Sequence, residues 1–154
     1  MPKALNGVRV LDLTSAYSGP FCSMMLADHG AEVIKIEPPN GDQARTWGPF
    51  DKKSGESAYF AQINRNKKGV TLNLKSKKAV QMFYDLVKEA DVVIENYRPG
   101  ITKKLKIDYD TLKKINPRII YGSCSGFGQK MVACNWTQRQ LGHGTTLQEH
   151  HGRC

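Results

Sequence analysis

Apolar and polar residues alternate over Val8-Arg9-Val10-Leu11-Asp12-Leu13 and again over Glu32-Val33-Ile34-Lys35-Ile36-Glu37, the period of two β-strands. Between them, Ser18 is placed to N-cap a helix with Pro20 in its first turn, running through Phe21, Met24, Met25 and Ala27, with Gly30 closing it. This β-α-β start implies neighbouring parallel strands in a right-handed unit. Val70 to Lys75 reads as a third strand. Ala79, Met82, Phe83, Leu86, Val87 and Ala90 then form one helical stripe behind a cap at Ser76. Asp91 to Tyr97 is a fourth strand, short helices cover Ile101 to Lys106 and Asp108 to Ile115, and Arg118 to Ser123 is a fifth strand. The pattern predicts an α/β fold, an open, mostly parallel Rossmann-type sheet with flanking helices.

Two stretches depart from this rhythm. Residues 38–69 are loop-rich, with Pro38-Pro39-Asn40-Gly41-Asp42 and Trp47-Gly48-Pro49-Phe50, and hold a short helix near Ala58 to Ala61. Residues 130–154 show neither period and carry few large apolar side chains, so they are expected to be disordered or loosely attached.

Length and composition narrow the class. A chain of 154 residues with 40% hydrophobic and 24% charged side chains suits one globular domain. No apolar run reaches the length of a membrane span, and Met1 to Gly7 lacks a secretory h-region. Cys22, Cys124, Cys134 and Cys154 are irregularly spaced without a C-x-x-C, which predicts a reduced, cytoplasmic protein; Cys22 is expected in the core. His143, His150, His151, Cys134 and Cys154 match no zinc spacing, so no metal site is assigned.

Charge points to an anionic partner. Lys and Arg number 23 against 14 Asp and Glu, and only Lys130, Arg139 and Arg153 of the cations follow Gln129, so the surplus belongs to the folding part. Nucleic acid is disfavoured, since no RNP motif, helix-turn-helix or arginine-rich stretch occurs. In an open parallel sheet a ligand binds beyond the carboxyl ends of the strands. Those ends are Thr14 to Gly19, Leu72 to Lys75, Asn96 to Gly100 and Ser123 to Gly128. The first lacks G-x-G-x-x-G, which disfavours NAD and FAD, but its small residues let an anion approach the helix N-terminus. Asn96-Tyr97-Arg98-Pro99-Gly100 offers a polar, an aromatic and a cationic group suited to a phosphorylated adenine nucleotide, with Lys104 one turn further on. Both segments also read as ordinary connecting turns. No nucleophile with a base and an orienting group is visible.

The motifs taken in order resemble a known family. Leu5 to Thr14, Gly19-Pro20-Phe21-Cys22, Leu26 to Glu37, Asn64-Arg65-Asn66-Lys67-Lys68, Leu72-Asn73-Leu74-Lys75, Glu95 to Gly100 and Asn116 to Gln129 look like the N-terminal part of a class III CoA-transferase, of the formyl-CoA and carnitine CoA-transferase (CaiB/BaiF) type. The resemblance implies a CoA-binding domain over residues 1–129, with coenzyme A or an acyl-CoA and a carboxylic acid as substrates and no prosthetic group. It places CoA on Tyr17 and Ser18, on Leu72, Asn73, Leu74 and Lys75, on Asn96, Tyr97 and Arg98, and on Lys104. A basic residue common after the second strand is Pro38 here. The family's nucleophile is an aspartate that passes through anhydride and aspartyl-CoA intermediates. It lies beyond the Gly126-Phe127-Gly128-Gln129 motif, so no catalytic residue is expected in this chain. Family members are interlocked homodimers, which a half-length chain cannot thread. The expectation is an N-terminal fragment followed by an unrelated tail at 130–154, as a frameshift or truncated gene would produce. The alternatives are an acyl-CoA racemase relative, whose insert after residue 46 would be shorter; a non-catalytic CoA- or nucleic-acid-binding fragment; and an inactive chain with exposed apolar surface.

Overall fold

A computed structural model describes residues 3–126, so the segment 130–154 and its expected looseness lie outside the described residues. Among the described residues five strands form one sheet: β1 (Arg9–Asp12), β2 (Glu32–Glu37), β3 (Lys67–Thr71), β4 (Val92–Glu95) and β5 (Ile120–Ser123). All neighbouring pairs are parallel and the order is β3-β2-β1-β4-β5. That is the order of the doubly wound nucleotide-binding folds, with its switch point between β1 and β4.

Alternation along each strand sorts side chains onto two faces. Val10, Val33 and Ile94 meet Ala27 of helix α1 (Ser18–Asp28) on one face. Leu11, Ile36 and Val93 meet Ala79, Phe83 and Val87 of α3 (Lys77–Lys88) and Leu112 of α5 (Tyr109–Ile115) on the other. Phe83 is fully buried, which contributes about 1.5–3 kcal/mol by area removed from water. The loop-rich stretch contains a 3-10 turn at Gln43–Thr46 and α2 (Ala58–Asn64), while α4 (Ile101–Leu105) follows β4. Side-chain oxygens of Asp42, Ser57 and Asp108 cap the 3-10 turn, α2 and α5.

Several expectations need correction. The third strand is Lys67–Thr71, not Val70–Lys75. After Thr71 only the Leu72 N–H continues the ladder, donating to Glu37 O at 2.8 Å; the backbone then turns, and Leu72 and Leu74 drop into the core. Ser18 is the first residue of α1 rather than its cap, a position held by Tyr17 without a side-chain bond, and Ser76 likewise makes no side-chain cap bond. Cys22 is exposed, as are Phe21 and Met25. The reason is that α1 lies on the sheet through its small residues Gly19, Ser23 and Ala27 with Pro20 and Met24, leaving the larger ones outside. A Cβ on Gly19 would come 2.4 Å from Thr14 Cβ, so the close approach of α1 to the turn leaving β1 requires glycine there. Met82 flanks the buried stripe of α3 and is 51% exposed.

Candidate functional site

The turn leaving β1 is held by two side chains from its neighbouring strands, one within β2 and one just past β4. Lys35 of β2 donates from Nζ to Thr14 O at 2.8 Å and ion-pairs with Asp42 Oδ2 at 3.0 Å, both side chains being only 2% exposed. Asn96, just past β4, accepts the Ser15 N–H at 2.9 Å through Oδ1 and donates from Nδ2 to Ser15 O at 2.7 Å. Ala16, between these clamps and α1, has a left-handed backbone with φ +68°. Such a conformation in a non-glycine residue persists only where the surroundings hold it.

Beneath the turn lies a second buried network. Asp12 accepts the backbone and hydroxyl of Thr14, the Ser23 hydroxyl at 2.6 Å and Lys67 Nζ at 3.0 Å. Lys67 also donates to Pro20 O and Asn64 Oδ1, so one buried cation joins β1, α1, α2 and β3. Burial pushes the Lys67 ammonium below the usual lysine value, opposed by the Asp12 carboxylate. On the far side, buried Glu95 accepts the Tyr97 N–H at 2.8 Å and the Ser123 hydroxyl, joining the ends of β4 and β5.

Above these ends opens a cavity of about 670 Å³, within the usual range for small-molecule sites. Leu13, Ile36, Leu72, Leu74 and Leu105 give it apolar walls, while Asn73, Lys75, Tyr97 and Lys104 supply polar groups. Its two lining acids are already paired. Burial alone would raise the Glu37 carboxyl, but the two-pronged contact from Arg45, at 2.8 Å on each oxygen, and the Asp42 N–H bring it below its ordinary value. Asp42 is paired with Lys35. Lys75 and Lys104 make no ion pair among the described residues, so the cavity presents a net positive charge. Burial, then the charges of Glu95 and Asp12, hold the Tyr97 hydroxyl above its ordinary value, so at neutral pH it stays protonated and can donate.

Of the residues expected from the sequence, Leu72, Asn73, Leu74, Lys75, Tyr97 and Lys104 come together in this cavity. Leu72 and Leu74 are buried walls, whereas Asn73 and Lys75 are exposed. Asn96 points at Ser15, Arg98 is exposed in the turn before α4, and Tyr17 and Ser18 stand at the start of α1 outside the cavity lining. Tyr17 stacks on Phe21 with ring centres 5.7 Å apart. Sequence reasoning missed Lys35, Glu37, Asp42 and Arg45. A signal existed for the first: Lys35 shares its strand face with Val33, and a cation on an inward face requires a buried partner.

Comparison with known proteins bears on what such a cavity serves. A model of CoA-transferase family III matches residues 5–154. An acetyl-CoA:oxalate CoA-transferase of Acetobacter aceti is 48% identical over 125 residues, covering 80% of this chain and 32% of the relative. A succinyl-CoA:glutarate CoA-transferase of Mus musculus is 47% identical over 128 residues, covering 82% and 29%. Among solved structures, Rv3272 from M. tuberculosis matches with a TM-score of 0.79 and 40% identity, over 84% of this chain and 36% of that one. A CAIB/BAIF family protein from Brucella suis matches with a TM-score of 0.75 at 40% identity, over 80% and 33%. The chain spans roughly a third of the length of the relatives it matches. No described helix is long and apolar enough to cross a membrane.

Proposed function

Because the chain belongs to CoA-transferase family III, we propose that it carries the CoA-binding part of an enzyme that moves CoA between an acyl-CoA and a free carboxylic acid. The observation that carries this reading is the charge balance of the cavity. Glu37 and Asp42 are neutralised by Arg45 and Lys35, leaving Lys75 and Lys104 to meet an anion beside apolar walls. CoA suits that arrangement, since it joins a flat adenine to several phosphates and a long, weakly polar arm. Lysines act on phosphate as point charges, and a protonated Tyr97 adds a donor. Asn73 sits beside Lys75, and Arg98, Tyr17 and Ser18 extend the contact surface along adjacent strand and helix ends.

In the chemistry this reading assigns to the whole enzyme, an aspartate carboxylate attacks the acyl-CoA carbonyl and CoA thiolate leaves, forming an anhydride. The thiolate then attacks the aspartyl carbonyl, releases the free acid and leaves an aspartyl-CoA thioester. No residue of this sequence is assigned as that nucleophile. The described residues bind CoA and orient it, and the attacking aspartate is none of them.

The test has two readouts. CoA added to the chain should raise its melting temperature; a ligand at a hundredfold excess over its Kd stabilises by about 2.7 kcal/mol. CoA transfer from acetyl-CoA or succinyl-CoA to oxalate or glutarate should stay blank. An unchanged melting temperature would overturn the binding claim, and turnover by the pure chain would overturn the placement of the nucleophile.

A further inference from the structure

Cys22 and Cys124 lie far apart in sequence, yet Cys22 sits on α1 and Cys124 against the first residue of that helix. Both are exposed and unpaired. Cys124 directly follows β5, and its N–H donates to Glu95 O at 2.8 Å, which anchors its backbone to the end of β4. Its Sγ lies 3.5 Å from Ser18 Oγ, at the first residue of α1. Cys22 is one helical turn beyond Ser18, hence on the same face, and helical side chains lean back toward the N-terminus, which carries its thiol toward Ser18 and Cys124.

The flank of the helix agrees. Asp28 marks the side of α1 that faces α2, where Arg65 and Asn66 donate to it. Leu26, one turn after Cys22, instead packs into the cluster that holds Ile94 of β4. Ser18, whose hydroxyl meets the Cys124 thiol, thus shares with Cys22 and Leu26 a stripe of α1 off the Asp28 side.

We propose that Cys22 and Cys124 are a dithiol that closes reversibly to a disulfide, tying α1 to the carboxyl end of β5. The oxidant is a small-molecule disulfide such as oxidised glutathione. One cysteine thiolate attacks it, forming a mixed disulfide and releasing one thiol. The second cysteine thiolate attacks the protein sulfur of that mixed disulfide and releases the other thiol. Two protein thiols are oxidised, one disulfide is reduced, and the two protons leave on the small thiols. The cross-link closes a long loop of chain, so the oxidised form should melt at a higher temperature than the reduced form. It does not depend on whether the cavity binds CoA.

The full chain, reduced and then treated with oxidised glutathione, is alkylated and digested without reductant for peptide mass mapping. The expected result is a cross-linked peptide pair joining Cys22 to Cys124, reversed by dithiothreitol. It should persist in a Cys134→Ser, Cys154→Ser variant and be lost in Cys22→Ser and in Cys124→Ser, with the rise in melting temperature following the same pattern. The proposal is overturned if both cysteines are recovered alkylated. It is equally overturned if they are found only as stable glutathione adducts, or joined only to Cys134, Cys154 or a second copy of the chain.

Discussion

Asn96 and Ser15 form a reciprocal pair across the switch point of the sheet, the Asn96 amide both accepting from and donating to the Ser15 backbone at 2.9 and 2.7 Å. Ser15 has its residue conformation set from outside its own turn, directly before left-handed Ala16. Asn96→Ala leaves a donor and an acceptor of this partly buried turn without partners. It should cost about 1–3 kcal/mol in urea unfolding and also weaken CoA binding. Asn96→Asp keeps the acceptor and loses the donor, so it should fall between. A variant as stable as the parent would show that the turn holds itself.

Lys35 and Asp42 should behave as a buried couple. Lys35→Met strands the Asp42 carboxylate and should destabilise by about 3–5 kcal/mol. Replacing both, as Lys35→Met with Asp42→Leu, removes the stranded charge and should recover part of that loss. Urea midpoints of the two single variants and the double variant measure the coupling; simple additivity would contradict it.

Acid should loosen the outer edge of the sheet through Glu32. Hydrogen bonds from Lys68 and then Arg9, at 2.6 and 2.7 Å, hold its carboxyl down at about 2 against an ordinary 4.5. A carboxyl whose folded value is depressed contributes fully above its unfolded value and loses that contribution as pH falls toward the folded one. The contribution should therefore fade between 4.5 and about 2. Melting temperatures across that window should fall less steeply in Glu32→Gln, and the difference should shrink in high salt. Parallel curves would contradict it.

Much of this architecture was legible because period and burial coincide. β1, β2, β4 and the Ala79-Phe83-Val87 stripe of α3 each carry the pattern their packing demands. The sequence pattern sets the third strand too late, because the alternation of Val70, Leu72 and Leu74 runs on past Thr71, where strand pairing ends. The true strand, Lys67–Thr71, lies at a sheet edge where charge and glycine are tolerated. Helical period tells which residues of α1 share a face but not which face is buried, so it does not reveal that Cys22 is exposed. The rule that ligands sit beyond strand ends located Leu72 to Lys75 and Tyr97 beside the cavity. The pairings Lys35–Asp42 and Arg45–Glu37 depend on how the loop after β2 folds back, which no local pattern encodes.

Lys104 should matter for phosphate affinity more than for folding, being exposed and without an ion pair among the described residues. Lys104→Glu should weaken CoA binding by roughly tenfold or more, the scale of a lost charged hydrogen bond, and leave the urea midpoint within about 0.5 kcal/mol. Calorimetric titration in low and moderate salt reads both affinity and its salt dependence; an unchanged Kd would remove Lys104 from the site.

The most direct test of the CoA site is a titration of the nitrogen-labelled chain with CoA, followed by amide resonances. Saturable shifts should appear at Asn73, Lys75, Tyr97 and Lys104, with the outer edge at Lys68 and Gly69 unmoved. No saturable shift, or shifts confined to that outer edge, would contradict CoA binding in the cavity.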